Sequence, residues 1–252
     1  MDRRIEPEFL DQLPANDPRA IRSRRDLQWL NAWMQNAQIM ARSLHCSFPD
    51  KPPPRILEIG AGDGTFLLRV ARRLGPEWRG TTALLLDRQQ VVTPETLSSF
   101  KMIGWQVEPL KADVFEWLQA VTPKNCDAII ANLFLHHFSD SQLSALLRYV
   151  AHQAPVFVAI EPRRWNWSLW CCKLLCLVSC NDITRHDASV SIRAGFAGTE
   201  LSTLWPKVAL SIPPDGGWSL RETPANFSSH LFVAQRKRDP HSRTGQLSTL
   251  DG

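Results

Sequence analysis

The stretch richest in chemistry is ILEIGAGDGT at residues 56–65, where an apolar strand candidate containing Glu58 runs into Gly60, Gly62 and Gly64, with Ala61 between the first two. Glycines at every second position let the backbone turn tightly and approach a ligand with no Cβ in the way. A helix beginning near Thr65 offers free N–H groups that suit an anionic or carboxylate-bearing ligand. The third glycine comes too early for the GxGxxG spacing that accommodates a pyrophosphate, which argues against a dinucleotide. The second such stretch, NLFLHHFSDSQ at 132–142, carries His136 and His137. An imidazole titrating near pH ~6.5 is suited to removing a proton from a substrate, although the pair can equally pack or cap the helix that follows Ser139. Glu161, Arg163 and Arg164 form a further rim group, able to orient a substrate or to pair internally. Of the six cysteines, four fall in CCKLLCLVSC at 171–180. Their spacing matches neither paired CxxC knuckles nor a Cys/His finger, so they read as packing residues and no metal site is expected.

Strands and helices must hold these groups in place. From residue 55 the sequence alternates apolar runs of strand length (55–59, 82–86, 105–110, 127–131, 156–160) with helical periodicity (65–74, 94–103, 114–121, 141–152). Near-continuous apolar strands separated by helices describe a doubly wound α/β fold with a parallel sheet covered on both faces. Residues 218–223 and 230–235 read as a hairpin completing the sheet with an antiparallel strand. Before the sheet, residues 1–22 carry Pro7, Pro14 and Pro18 and predict an irregular leader with a short helical turn around Glu8 to Gln12. Ser23 is the expected cap of one amphipathic helix from there to about His45, which PDKPPP at 49–54 stops. After the fifth strand, Trp165 to Cys180 is a Trp-rich helix candidate, 181–187 a polar turn and Ala188 to Leu204 another helix. The expected organisation is a leader and helix over 1–54, a ligand-binding domain over 55–236 with a helical lid at about 163–205, and a disordered tail over 237–252.

With these pieces in order, the sequence resembles the class I S-adenosylmethionine-dependent methyltransferases, whose first motif is an acidic residue followed by GxGxG, here Glu58, Gly60, Gly62 and Gly64. The resemblance implies a seven-stranded Rossmann-like sheet with one antiparallel strand, and S-adenosylmethionine as cofactor. It covers residues 55–161 closely and the hairpin loosely. Asp87, followed by Arg88, resembles the family's acidic residue that accepts hydrogen bonds from both ribose hydroxyls. Asp113 resembles its adenine-side aspartate, with Val114 along the ring. Asn132 and Leu133 stand where the family's fourth-strand loop passes the methionine and the sulfonium. His136 lies where phenol O-methyltransferases with a His-Asp-Trp-Ser-Asp string have their general base, but His137 and Phe138 replace the Asp and Trp of that string. The narrower similarity, carried by DPRAIRSRRDL and the Trp-rich lid, is to small bacterial tailoring methyltransferases of polyketide or quinone pathways.

The expected acceptor is an apolar or aromatic small molecule, because aromatic walls with few charges favour a flat or lipid-like ligand. Trp33, Trp167, Glu161, Arg163 and His186 are the candidate acceptor contacts. O-methylation of a phenolic hydroxyl is the preferred reaction; C-methylation of a quinone-like ring and a non-catalytic S-adenosylmethionine-binding module are the alternatives. With 44% hydrophobic and 21% charged residues the composition is globular. A net charge of +4 without basic stripes disfavours nucleic acid as a partner. The first residues contain no apolar signal-like run and the Trp-rich stretch is too short to span a bilayer, so a cytoplasmic protein with reduced thiols is expected. Sequence leaves the oligomeric state open.

Overall fold

The computed structural model describes residues 1–14, 17–120, 126–165, 182–209 and 217–237. Short apolar runs pair into one seven-stranded sheet of order β3-β2-β1-β4-β5-β7-β6. The strands are β1 (Arg55–Ile59), β2 (Thr82–Asp87), β3 (Gln106–Lys111), β4 (Ala128–Asn132), β5 (Val156–Pro162), β6 (Trp218–Pro224) and β7 (Ser229–Arg236). Neighbours among β1 to β5 are parallel, while β7 runs antiparallel to both β5 and β6. The single antiparallel strand is therefore β7. Alternate residues face opposite ways: Ile56, Ile130 and Val158 join one core, and Leu57, Ile129 and Phe157 the other. Edge strand β3 tolerates Pro109 because one side of its ladder is unpaired.

Helices α3 (Asn36–Ser47), α4 (Thr65–Leu74) and α5 (Pro94–Met102) cover the first core, and α6 (Val114–Ala120), α7 (Asp140–Gln153) and α9 (Glu200–Ala209) the second. Among the described residues the other α-helices are α1 (Phe9–Gln12), α2 (Pro18–Trp33) and α8 (Asp182–Ala194). Burying the large apolar side chains of these layers contributes on the order of 1.5–3 kcal/mol each. Strand order reverses between β1 and β4, which opens a crevice at their carboxyl ends.

Three local expectations change. The single helix from Ser23 is two helices, α2 and α3, broken where Gln35 takes a left-handed φ of 56°. Ser23 is not a cap but a buried residue inside α2, its hydroxyl 2.8 Å from that of Thr184. The polar turn at 181–187 is, from Asp182, the first turn of α8, and the helix expected over 188–204 breaks at 195–199. At the break the chain presses against β5, where the Phe196 amide donates to the Pro162 carbonyl at 2.9 Å and only glycine fits at 195, since a Cβ there would sit 2.2 Å from that oxygen. The Trp-rich stretch at 166–180 and the tail at 238–252 lie outside the described residues.

The leader has more order than expected. Arg3 donates to the Ala194 carbonyl (2.9 Å), the Asp140 carboxylate (2.8 Å) and the Phe138 carbonyl (2.9 Å). Asp187, buried, accepts the Phe9 and Leu10 amides at 2.9 Å each. These contacts lay residues 3–10 across the carboxyl end of β4.

Candidate active site

Two strand-to-loop turns, after β1 and after β4, face each other across a cavity of about 670 Å³. In the first, Gly60 has a φ of +69° and a Cβ there would fall 2.2 Å from the Phe134 ring, so the residue is glycine for conformation and for space. Gly64 has a φ of +74°, and its Cβ would meet Leu85 at 2.6 Å. The Gly62 amide donates to Asp87 Oδ2 at 2.9 Å, and Asp87 Oδ1 accepts the Gln89 amide at 2.8 Å. The glycine turn and the end of β2 are thus tied together by one carboxylate, which keeps further lone pairs.

Glu58 is 2% exposed, lines the cavity, and its Oε2 is buried with no hydrogen-bond partner. Burial, reinforced by the nearby charge of Asp63, raises its pKa well above the ordinary carboxylate range. A buried carboxylate oxygen left unpaired at a cavity wall suits the positive group of a ligand. Ala61, Arg88, Asp113, Val114, Asn132 and Leu133 line the same cavity. Asp113 also performs the plain structural task open to it, accepting the Phe115 amide at 2.8 Å as the cap of α6. Asn132 accepts from Asn36 at 2.9 Å. Leu133 has a φ of 53°, a left-handed backbone that costs about 1–2 kcal/mol in a residue with a side chain.

Glu161 offsets that strain. Its carboxylate is fully buried and accepts the amides of Phe134 (3.1 Å), Leu135 (2.8 Å) and His136 (3.3 Å). It also stands 2.8 Å from His136 Nδ1. Glu161 is therefore not a rim group but the internal anchor of the loop carrying the histidines.

His136 is 3% exposed and sandwiched: Nδ1 faces Glu161, and Nε2 lies 3.4 Å from Oε1 of Glu8 on the leader. Burial opposes a charge on this ring, but the hydrogen bond to Glu161 and the negative charges of Glu161 and Glu8 outweigh it, raising the pKa to about 9. Burial likewise acts against the Glu8 carboxylate. The close positive charge of His136, that of His137 and the Ser191 hydroxyl win, lowering its pKa to about 2. His137 lines the cavity beside it, with ring centroids 4.3 Å apart.

Arg163 and His186, also expected to contact the acceptor, are not part of the cavity lining. Arg163 covers the Trp165 ring at 4.6 Å and donates to the Asn226 carbonyl. His186 stacks on Phe9 at 4.0 Å and pairs with Asp187. The Trp33 side chain and Trp167 lie outside the described residues. Sequence reasoning missed Ile5, Pro7, Glu8 and Leu10, which wall the cavity from the leader. The partners that hold the leader, Arg3 with Asp140 and Asp187 with Phe9, are more than a hundred residues apart in the chain, so no local pattern announces them.

No protein-family model and no curated protein matches the chain. Solved structures do. The plantazolicin methyltransferase BamL, in complex with a triazolic desmethyl analogue and SAH, is 14% identical with a TM-score of 0.62, covering 90% of this chain and 93% of its own. The pyocyanin biosynthetic protein PhzM is 16% identical with a TM-score of 0.58, covering 92% and 62%. The magnesium protoporphyrin IX methyltransferase of Synechocystis, with bound SAM, is 15% identical with a TM-score of 0.51, covering 88% of each chain. The chain has the Rossmann-like fold of these class I methyltransferases. No helix among the described residues is long and apolar enough to cross a membrane.

Proposed function

We propose that this chain is a class I methyltransferase that transfers the methyl group of S-adenosylmethionine to an apolar or aromatic small molecule, with a phenolic hydroxyl as the preferred acceptor. One observation carries the reading: a single cavity joins the glycine turn, the orphan oxygen of Glu58 and Asp87 to the histidine pair. The residues present suit the cofactor. Glu58 would take the methionine ammonium, Asp87 the ribose hydroxyls, and Asp113 with Val114 the adenine. Gly60, Ala61, Gly62 and Gly64 give the close backbone approach, Arg88 flanks the nucleoside, and Asn132 and Leu133 lie along the methionine.

When bound, the cofactor supplies an electrophilic methyl for in-line displacement. The chain's share of catalysis is to hold the acceptor atom aligned and dry. Phe134, Phe138 and the leader residues Ile5 and Pro7 furnish apolar walls. His137, on the cavity wall, is the group at which an acceptor hydroxyl gives up its proton; His136, which carries its own proton between Glu161 and Glu8, is not the base that the resemblance implied but holds the loop beside it. Trp33 and Trp167 stay candidate acceptor contacts on the sequence resemblance alone, Arg163 and His186 are engaged elsewhere, and Glu161 acts only through His136. The relatives named for plantazolicin and pyocyanin favour secondary metabolism as the setting.

C-methylation of a quinone-like ring is the second reading. It is favoured by the engagement of both His136 ring nitrogens with carboxylates, which suits an acceptor that needs no base. The test is incubation with S-adenosylmethionine and a panel of phenols and hydroquinones, with products identified by mass spectrometry. An O-methyl ether supports the first reading and a C-methyl product the second. No S-adenosylhomocysteine from any member of the panel would leave only a cofactor-binding module.

A further inference from the structure

The carboxylate of Glu8 and one ring nitrogen each from His136 and His137 converge so that the three lie within 4.8 Å of one another, with Glu8 and His136 buried. The contact between the first two is the informative one. A charge-assisted N–H···O bond settles at about 2.7–2.9 Å, as His136 Nδ1 does against Glu161 at 2.8 Å. On the other side of the same ring, Nε2 and Glu8 Oε1 are 3.4 Å apart. That exceeds a good hydrogen bond and equals the edge of a coordination shell whose metal–ligand bonds are about 2.0–2.1 Å long.

The groups behind these donors have the arrangement of an outer shell. Glu161 takes Nδ1 of His136 and thereby fixes Nε2 as the outward nitrogen, a carboxylate–histidine relation that recurs behind metal ligands. The Ser191 hydroxyl donates to the Glu8 carboxylate and sets its orientation. The three donors also open onto the cavity, which leaves coordination positions for water or for an acceptor oxygen.

We propose that Glu8, His136 and His137 form a binding site for a divalent transition metal. Two imidazoles and one carboxylate select a borderline ion such as Zn²⁺, Co²⁺ or Fe²⁺ over Mg²⁺ or Ca²⁺. The leader is then a structural part of the active site, contributing the ligand that pins it across the cavity. The use of the ion rests on the proposed methyl transfer: a phenol oxygen joining the metal binds as phenolate, its proton passing to solvent, and is presented to the methyl group already deprotonated. Binding of the ion itself does not depend on that reading.

The test is titration of the metal-stripped full chain with Co²⁺, without cofactor or acceptor, following the visible d–d absorption. One saturable equivalent is expected. Glu8→Gln and His137→Ala should each abolish it, and Glu161→Gln should weaken it about 10- to 100-fold. Circular dichroism monitors folding, and if His137→Ala fails to fold, Glu8→Gln decides alone. Absence of an absorption band in the wild-type protein, or a band of unchanged affinity in Glu8→Gln, overturns the site. Methyl-transfer assays are run separately, so an inactive protein that binds Co²⁺ refutes the function and not the metal site.

Discussion

Replacing Glu161 by glutamine keeps the shape of the side chain and removes half of its accepting power. In the native loop Oε1 accepts the Phe134 and Leu135 amides, while Oε2 accepts the His136 amide and faces Nδ1. A glutamine can place its carbonyl at only one of these positions, and its NH₂ then meets backbone N–H or imidazole N–H, donor against donor. Two bonds to a charged acceptor are lost, at about 1.5–3 kcal/mol each. Relaxation of the loop trims the sum to about 3–5 kcal/mol, the range for breaking a buried charged pair. In a chain of 252 residues each kcal/mol lowers Tm by about 2–4 °C, so a fall of about 6–20 °C is expected. Differential scanning calorimetry measures it, and hydrogen exchange at residues 133–137 shows whether the loss is local. A Tm within about 2 °C of wild type would mean that Glu161 does not anchor the histidine loop and that the left-handed Leu133 is held by something else.

Two further predictions probe the site and a third the core. Gly60→Ala drives a Cβ into the Phe134 ring at 2.2 Å on a backbone that disfavours it; loss of S-adenosylmethionine binding by calorimetry with the fold retained is expected, and unchanged affinity contradicts the role of the turn. Glu58, whose pKa burial raises, stays protonated to higher pH than an ordinary glutamate, and a cationic ligand favours its ionised form. Affinity for S-adenosylmethionine should therefore climb as pH rises through that raised value, and Glu58→Gln should flatten the climb. Burial pushes the Cys126 thiol up to about 12, whereas Cys46 is exposed. Peptide mapping after alkylation near neutral pH should find Cys46 modified and Cys126 untouched until the protein is unfolded.

The central sheet was legible because its strands, 56–59, 83–86 and 128–131, are buried and apolar, and because the glycine turn needs residues without a Cβ at Gly60 and Gly64. The hairpin was equally plain from two β-rich runs around Asn226, whose side-chain oxygen accepts the Ser228 and Ser229 amides. Tertiary contacts decided the rest. The helix expected from Ser23 breaks at Gln35, after which Asn36 is buried and bonded to Asn132 and Ser229. Glu161 read as a rim charge, since nothing in the sequence says that three consecutive amides from the neighbouring strand's loop will turn inward to meet it. Glu8 looked like part of a proline-interrupted leader, and contacts made across the fold by Arg3, Asp187 and Ser191 bring it to His136.

The most direct measurement is calorimetric titration of S-adenosylhomocysteine into the wild-type chain and into Asp87→Ala. Saturable one-to-one binding is expected for the wild type. The variant should lose about 1.5–3 kcal/mol for each of the two ribose hydrogen bonds removed, which makes it at least about a hundredfold weaker. No heat in the wild type, or the same affinity in both proteins, would contradict the assignment of this cavity to S-adenosylmethionine and the S-adenosylhomocysteine it leaves.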